Sequence, residues 1–150
     1  MPVSVDPPVS PSAARHPGRR PRRAGVALWV AQAALAVLLV GGGIFKLVTP
    51  VQELADSFAW AAEVPAALLC TSAVLDLLGG LGILLPSLTR IAPRVTVLAA
   101  LGCAALMASA AVFHLSRGEA ADTPMNIALA AVALFVAWGR HSIAPITPRR

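Results

Sequence analysis

Four long apolar runs divide the chain. The first, Ala24 to Phe45, is uncharged throughout and is closed by Lys46. The second, Val64 to Leu85, is bracketed by Pro65 and Pro86 and holds a single charge, Asp76. The third extends from about Val95 to Leu115, and the fourth and shortest from about Thr123 to Gly139. A helix needs about 20 consecutive apolar residues to cross the hydrocarbon core of a bilayer. The pattern therefore predicts an all-α membrane protein, an antiparallel bundle of four transmembrane helices at about 24–46, 64–85, 95–115 and 123–139, within a domain over 24–142.

The flanks read differently. Residues 1–23 are rich in Pro, Ser and Arg and have too few apolar positions to bury, which predicts a disordered basic tail. A cleaved signal peptide fits less well, because the apolar run that follows is too long and no small-residue cleavage site closes it. Residues 143–150 form a second, short basic tail. Between the first two runs, Val51, Leu54, Ala55, Phe58 and Ala59 recur at helical spacing among Gln52, Glu53 and Asp56. That spacing suggests a short amphipathic helix lying on the membrane face and anchored by Trp60. Trp29 and Trp138, near the ends of the first and fourth runs, fit the interfacial belt.

Composition strengthens the membrane reading. Of 150 residues, 57% are hydrophobic and 13% charged, about half the charged fraction typical of soluble domains. Mean hydropathy is +0.76. The formal charge of +5 would suit nucleic acid, but the Arg residues avoid the apolar runs, so topology accounts for them and no nucleic-acid partner is expected. Four crossings put Arg15, Arg19, Arg20, Arg22, Arg23, Arg90, Arg94, Arg140, Arg149 and Arg150 on one side. Only Lys46 and Arg117 fall on the other, a ten-to-two division that places both termini in the cytoplasm.

The residues that could carry chemistry are few. Asp76 is the most informative, since a charge at mid-membrane costs about 2.5–3.5 kcal/mol on insertion scales. It shares a face with Ser72, Gly79, Gly80 and Ile83. On the first helix, Gln32, Ala36, Leu39, Gly43 and Lys46 fall on one face, and Gln32, at similar estimated depth, is the expected partner of Asp76. Lys46 is placed about 20 Å from Asp76 by rise per residue. A direct ion pair is thus not expected unless the second helix is broken or displaced, and Lys46 is read as snorkelling to the outer interface. His114 shares a face with Cys103, Met107, Ala110 and Ala111, level with Lys46 and with Asn126. These groups, with Glu119 or Glu63, could line an outward-facing polar pocket. Asp76, Gln32, Lys46, His114 and Asn126 are therefore the candidate ligand-binding residues, with helix-packing glue as the alternative role. No metal site is expected, because His114 lacks a second histidine one turn away. Cys70 and Cys103 stand alone in separate runs without C-x-x-C spacing, as ordinary apolar cysteines do.

Several stretches together resemble the DoxX-like family of small four-helix bacterial membrane proteins. They are Gly41-Gly42-Gly43-Ile44-Phe45-Lys46, Trp60 with Pro65, and Asp76 through Pro86 with Gly79-Gly80 and Gly82. Met107 with His114, Arg117-Gly118-Glu119, Asn126 and Gly139-Arg140 complete the set. The resemblance covers roughly Ala24 to Arg140, with one departure: the family usually has Glu where this chain has Asp76. It implies a multi-pass protein of a bacterial plasma membrane. The family's namesake resembles a subunit of a membrane thiosulfate:quinone oxidoreductase, and other members are linked to oxidative-stress complexes. The expectation is an accessory or scaffold subunit of a membrane-associated redox system, in contact with lipid and a redox protein partner. A quinone is the one cofactor this reading admits, and a homo-oligomer is compatible with it. Independent catalysis is not expected, because nucleotide motif, metal cage and nucleophile–base pair are all missing from the sequence. Two alternatives stay open: an oligomeric proton-coupled transporter using Asp76, and a purely structural membrane protein.

Overall fold

A computed structural model describes residues 20–149, with side chains from Arg23 onward. The basic tail expected over 1–23 lies almost wholly outside the described residues. Within them the chain forms five helices: α1 (Arg20–Val48), α2 (Val51–Ser57), α3 (Ala66–Thr89), α4 (Arg94–Ser116) and α5 (Thr123–Trp138). Short 3-10 turns follow α2 at Ala59–Ala62 and precede α5 at Ala120–Asp122, and a π-helical turn, Gly139–Ile143, prolongs α5. Proline marks the helix starts: Pro50, Pro65 and Pro93 precede α2, α3 and α4, and Pro124 stands in the first turn of α5. Its missing N–H has no partner to lose there.

Four segments are long and apolar enough to span a bilayer: Arg23–Val48, Ala66–Thr89, Arg94–Ser116 and Ala120–Ile143. They run up and down in chain order, α1 against α3, α3 against α4, α4 against α5, with α5 closing more lightly on α1. The protein is an all-α, four-helix, multi-pass membrane protein. Its outer surface agrees: Val37 is 69% exposed, Leu98 67% and Leu78 61%, a continuous apolar coat that lipid rather than water would cover.

The end of the second span differs from the sequence pattern. Pro86 does not end the second span; α3 continues through it to Thr89. An interior proline forfeits one backbone bond, and neighbouring helices and side chains in a membrane bundle can satisfy the freed group. The helix stops instead at Arg90, whose backbone is left-handed (φ 59), with Ala92 (φ 49) completing the tight turn into α4. After Ile143 the chain folds back along the bundle end, and the Arg149 N–H donates to the Arg90 carbonyl at 3.1 Å.

Small residues set how the helices meet. A Cβ on Gly80 would lie 3.1 Å from the Ala36 carbonyl, and one on Gly43 2.7 Å from the Ala73 carbonyl, so α1 and α3 touch backbone to backbone. These contacts also fix the stagger. Gly43 lies beside Ala73 and Leu77, so α1 ends at Val48 while α3 reaches several residues further. That projecting turn carries Leu69, which buries with Leu54 of α2 and Ala61 of the following 3-10 turn into a small second core. The amphipathic segment thus lies on the projecting end of α3. The main core, including Leu35, Leu39, Ile83, Ala100, Met107 and Val136, fills the bundle axis.

Candidate functional site

Two polar clusters lie inside the apolar bundle, one at each end. We call the end with the α1–α3 and α4–α5 connections the loop end, and the other the terminal end.

At the loop end, Lys46 Nζ donates to Asp76 Oδ2 at 2.7 Å. This corrects the expectation that the two lie too far apart and that Lys46 snorkels away. The depth count aligned the ends of the two helices, whereas the stagger puts the Lys46 backbone only about three residues, roughly 4.5 Å, beyond the level of residues 73–77. Side chains on a helix also lean toward its N-terminus. In antiparallel α1 and α3 that tilt brings Lys46 and Asp76 toward one another. Asp76 is 4% exposed, and its second oxygen, Oδ1, is buried without a hydrogen-bond partner.

The pair forms part of the wall of a cavity of about 320 Å³ between α3, α4 and the loop-end turns. Ser72, Trp60, His114 and Asn126 share that wall, and the remainder is largely apolar, including Leu106, Met107 and Phe113. Trp60 is more than an interfacial anchor. Its ring meets Phe113 at 6.2 Å and His114 at 5.9 Å, both edge to face. The 3-10 turn therefore roofs the cavity.

His114 is held from outside. Its Nδ1 lies 2.8 Å from Glu119 Oε2, and Glu119 Oε1 accepts from Arg117 Nε at 2.8 Å. Arg117 also pairs with Glu63 and stacks over the Phe113 ring at 5.3 Å. Glu63 and Glu119 thus brace the rim. Hydrogen bonding from His114, and then from Arg117, holds the Glu119 carboxyl below its ordinary range, while Glu63 and Glu119 raise the Arg117 guanidinium. A carboxylate on Nδ1 favours the Nδ1–H tautomer of neutral His114, leaving Nε2 as the acceptor. Asp122 completes a trio with His114 and Glu119 whose ligand atoms lie within 4.8 Å of one another. His114 Nδ1 and Glu119 Oε2 are already bonded to one another, so a metal shared by them would replace that hydrogen bond.

At the terminal end each span contributes one buried residue to a second network. Gln32 Nε2 donates to the Ile83 carbonyl at 2.9 Å and to Ser87 Oγ at 3.0 Å. Ser87 lies 2.9 Å from Thr96 Oγ1, and Gln32 Oε1 accepts from Arg140 Nε. Gln32 is therefore not the partner of Asp76. Ser87, beside it, is eleven residues along α3 from Asp76, roughly 16 Å at 1.5 Å per residue. Of the five candidate residues, the fold gathers Lys46, Asp76, His114 and Asn126 around one cavity and places Gln32 elsewhere. Sequence reasoning missed Ser87 and Thr96, and it left Arg140 among the flanking charges. The one available signal was that Arg140 directly follows an apolar span through Gly139, whose missing side chain admits Leu28 of α1.

Compared with known proteins, the chain matches the sequence profile of the DoxX-like family over residues 30–136. No curated protein and no solved structure matches it.

Proposed function

We propose, from the premise that this chain belongs to the DoxX-like family, that it is a membrane subunit of a redox system whose loop-end cavity receives the head group of a quinone-type ligand. The observation that carries this reading is a polar wall, Lys46–Asp76 with His114 and Asn126, facing a largely apolar cavity. Its volume of about 320 Å³ is at the lower end of the usual range for small-molecule sites, about 300–1,000 Å³. The donor set suits a quinone: Lys46 and Asn126 present N–H groups to carbonyl oxygens, and Trp60, Phe113 and Leu106 offer apolar faces to a flat ring. A bound quinone supplies two-electron, two-proton redox chemistry. The chain's own residues bind and orient: Asp76 fixes the Lys46 ammonium, Glu119 fixes the His114 ring, and the Trp60 turn excludes water. A redox protein partner supplies the electrons, and a bacterial plasma membrane is the setting.

In this reading both termini face the cytoplasm, on the ten-to-two division of basic residues, and the cavity faces the outside. A reporter fused after Arg150 is then active only in its cytoplasm-dependent form. The ligand is tested by quenching of Trp60 fluorescence with a short-chain benzoquinone or naphthoquinone in nanodiscs, with Trp60→Phe as the control. Saturable quenching, weakened at least tenfold by Asp76→Asn, is expected. Absence of saturable binding by the wild-type chain, with no redox partner co-purified in mild detergent, would overturn the reading. The buried Lys46–Asp76 pair also suits a proton-coupled carrier. That second reading requires Asp76→Asn to abolish solute flux while the folded amount stays constant.

A further inference from the structure

Arg140 sits on the π-helical turn after α5 and is 6% exposed. Among the described residues its guanidinium directly contacts only neutral groups. Nε donates to Gln32, Nη1 reaches the Ala144 carbonyl at 3.4 Å, the Trp29 ring lies 4.8 Å from Cζ, and Nη2 is buried with no partner. A buried charge is ordinarily matched by an opposite one, because removal from water costs several kcal/mol per ion. Among the described residues none is supplied. The described carboxylates are Glu53, Asp56, Glu63, Asp76, Glu119 and Asp122, and none lies at the terminal end.

Arg140 also lines a cavity of about 490 Å³ between the start of α4, the π-helical turn and the returning chain at 145–148. Two more basic side chains, Arg94 and His141, line it with Arg140, and both are exposed. Its other walls are apolar, among them Val97 and Ile146. Three basic side chains therefore line one cavity to which no described residue contributes an acidic group, and one of them, Arg140, carries a buried guanidinium N–H without a partner.

We propose that this cavity is an anion site for a phosphate group, carried by a lipid headgroup or free in solution, which acts as the missing counter-charge of Arg140. A guanidinium fork matches phosphate oxygens in geometry and charge, and Arg94 and His141 close on the same group from the open side. The apolar walls suit what is attached to a lipid phosphate. This site is independent of the loop-end cavity and of its ligand.

The test measures thermal unfolding of the full chain in phosphatidylcholine nanodiscs with three additions: none, phosphatidylglycerol in the bilayer, or inorganic phosphate in the buffer. Either anion source is expected to raise the midpoint by about 4 °C near saturation, as a ligand of the native state does. A rise with phosphatidylglycerol alone assigns the lipid as the source, and a rise with inorganic phosphate assigns the free anion. Arg140→Gln removes the buried charge but also breaks the bond to Gln32. The decisive variant is therefore Arg94→Gln/His141→Gln, whose side chains are exposed and which should fold normally. It loses at least half of the rise, whereas Arg23→Gln, an exposed arginine outside the cavity, keeps all of it. The proposal is overturned if neither anion shifts the wild-type midpoint. It is equally overturned if the double variant responds like the wild type, or if Arg23→Gln loses as much as the double variant.

Discussion

Removing either partner of the Lys46–Asp76 pair should destabilise the bundle more than removing both. The charged atoms lie 2.7 Å apart, and the side chains are 21% and 6% exposed respectively. Breaking a buried pair from one side costs about 3–5 kcal/mol, because the remaining charge is left without a partner. The cost here is asymmetric. Lys46→Met leaves a carboxylate that is only 6% exposed without its partner, and about 3 kcal/mol is expected. Asp76→Leu leaves an ammonium that is already one-fifth exposed and can turn to the interface, so the full figure is discounted for solvent to about 1–2 kcal/mol. In the double variant no charge remains and apolar volume is roughly kept, so stability returns to within about 1 kcal/mol of wild type. The coupling between the sites is then about 3–5 kcal/mol. Reversible unfolding of the four proteins in mixed micelles, followed by tryptophan fluorescence, measures it. Effects that add to within about 0.5 kcal/mol would refute the pairing. Asp76→Glu keeps the charge beside a cavity with room for one methylene and should preserve most of the coupling.

Two further outcomes follow from the helix contacts and the rim. Gly43→Ala drives a Cβ to 2.7 Å from the Ala73 carbonyl, where backbone has to move, and should cost about 2 kcal/mol. Gly41→Ala on the same helix meets nothing within 4 Å and should stabilise by about 0.5–1 kcal/mol, so opposite shifts in midpoint are expected. For pH, the Glu119 carboxyl is held below its ordinary value of 4.5 by His114 and then Arg117. Its contribution is complete above about 4.5 and is lost as the pH falls through the lower value of the folded protein. Glu119→Gln should remove that acid limb from a stability–pH profile by lowering the neutral plateau, while leaving the most acidic region little changed.

The inward faces were legible in the sequence. Gln32, Ala36 and Leu39 on α1, and Asp76, Gly80 and Ile83 on α3, share faces by spacing alone, and all are buried in the bundle. Cys103, Met107, Ala111 and His114 do the same on α4. The four spans could be found because lipid demands about 20 apolar residues of each crossing. Partnership between faces was not legible. Sequence spacing gives each residue's angle around its own helix but not the height at which two helices meet. That height depends on which small residues let backbones touch, as Gly43 does at Ala73 and Gly80 at Ala36. An axial offset of roughly two to three helical turns exchanged the expected partners, giving Lys46 to Asp76 and Arg140 to Gln32.

The lone charge of Asp76 within its span and the position of every apolar run follow from the sequence by itself, because burial in lipid is a local demand on each segment. Only the tertiary structure decided that Asp76 meets Lys46, that Trp60 roofs the cavity holding His114 and Asn126, and that Arg140 turns inward without a counter-charge among the described residues. Those outcomes depend on the stagger of the helices, on the chain returning from the loops and on the π-helical turn. Each is fixed by contacts between residues far apart in sequence, to which no local pattern responds.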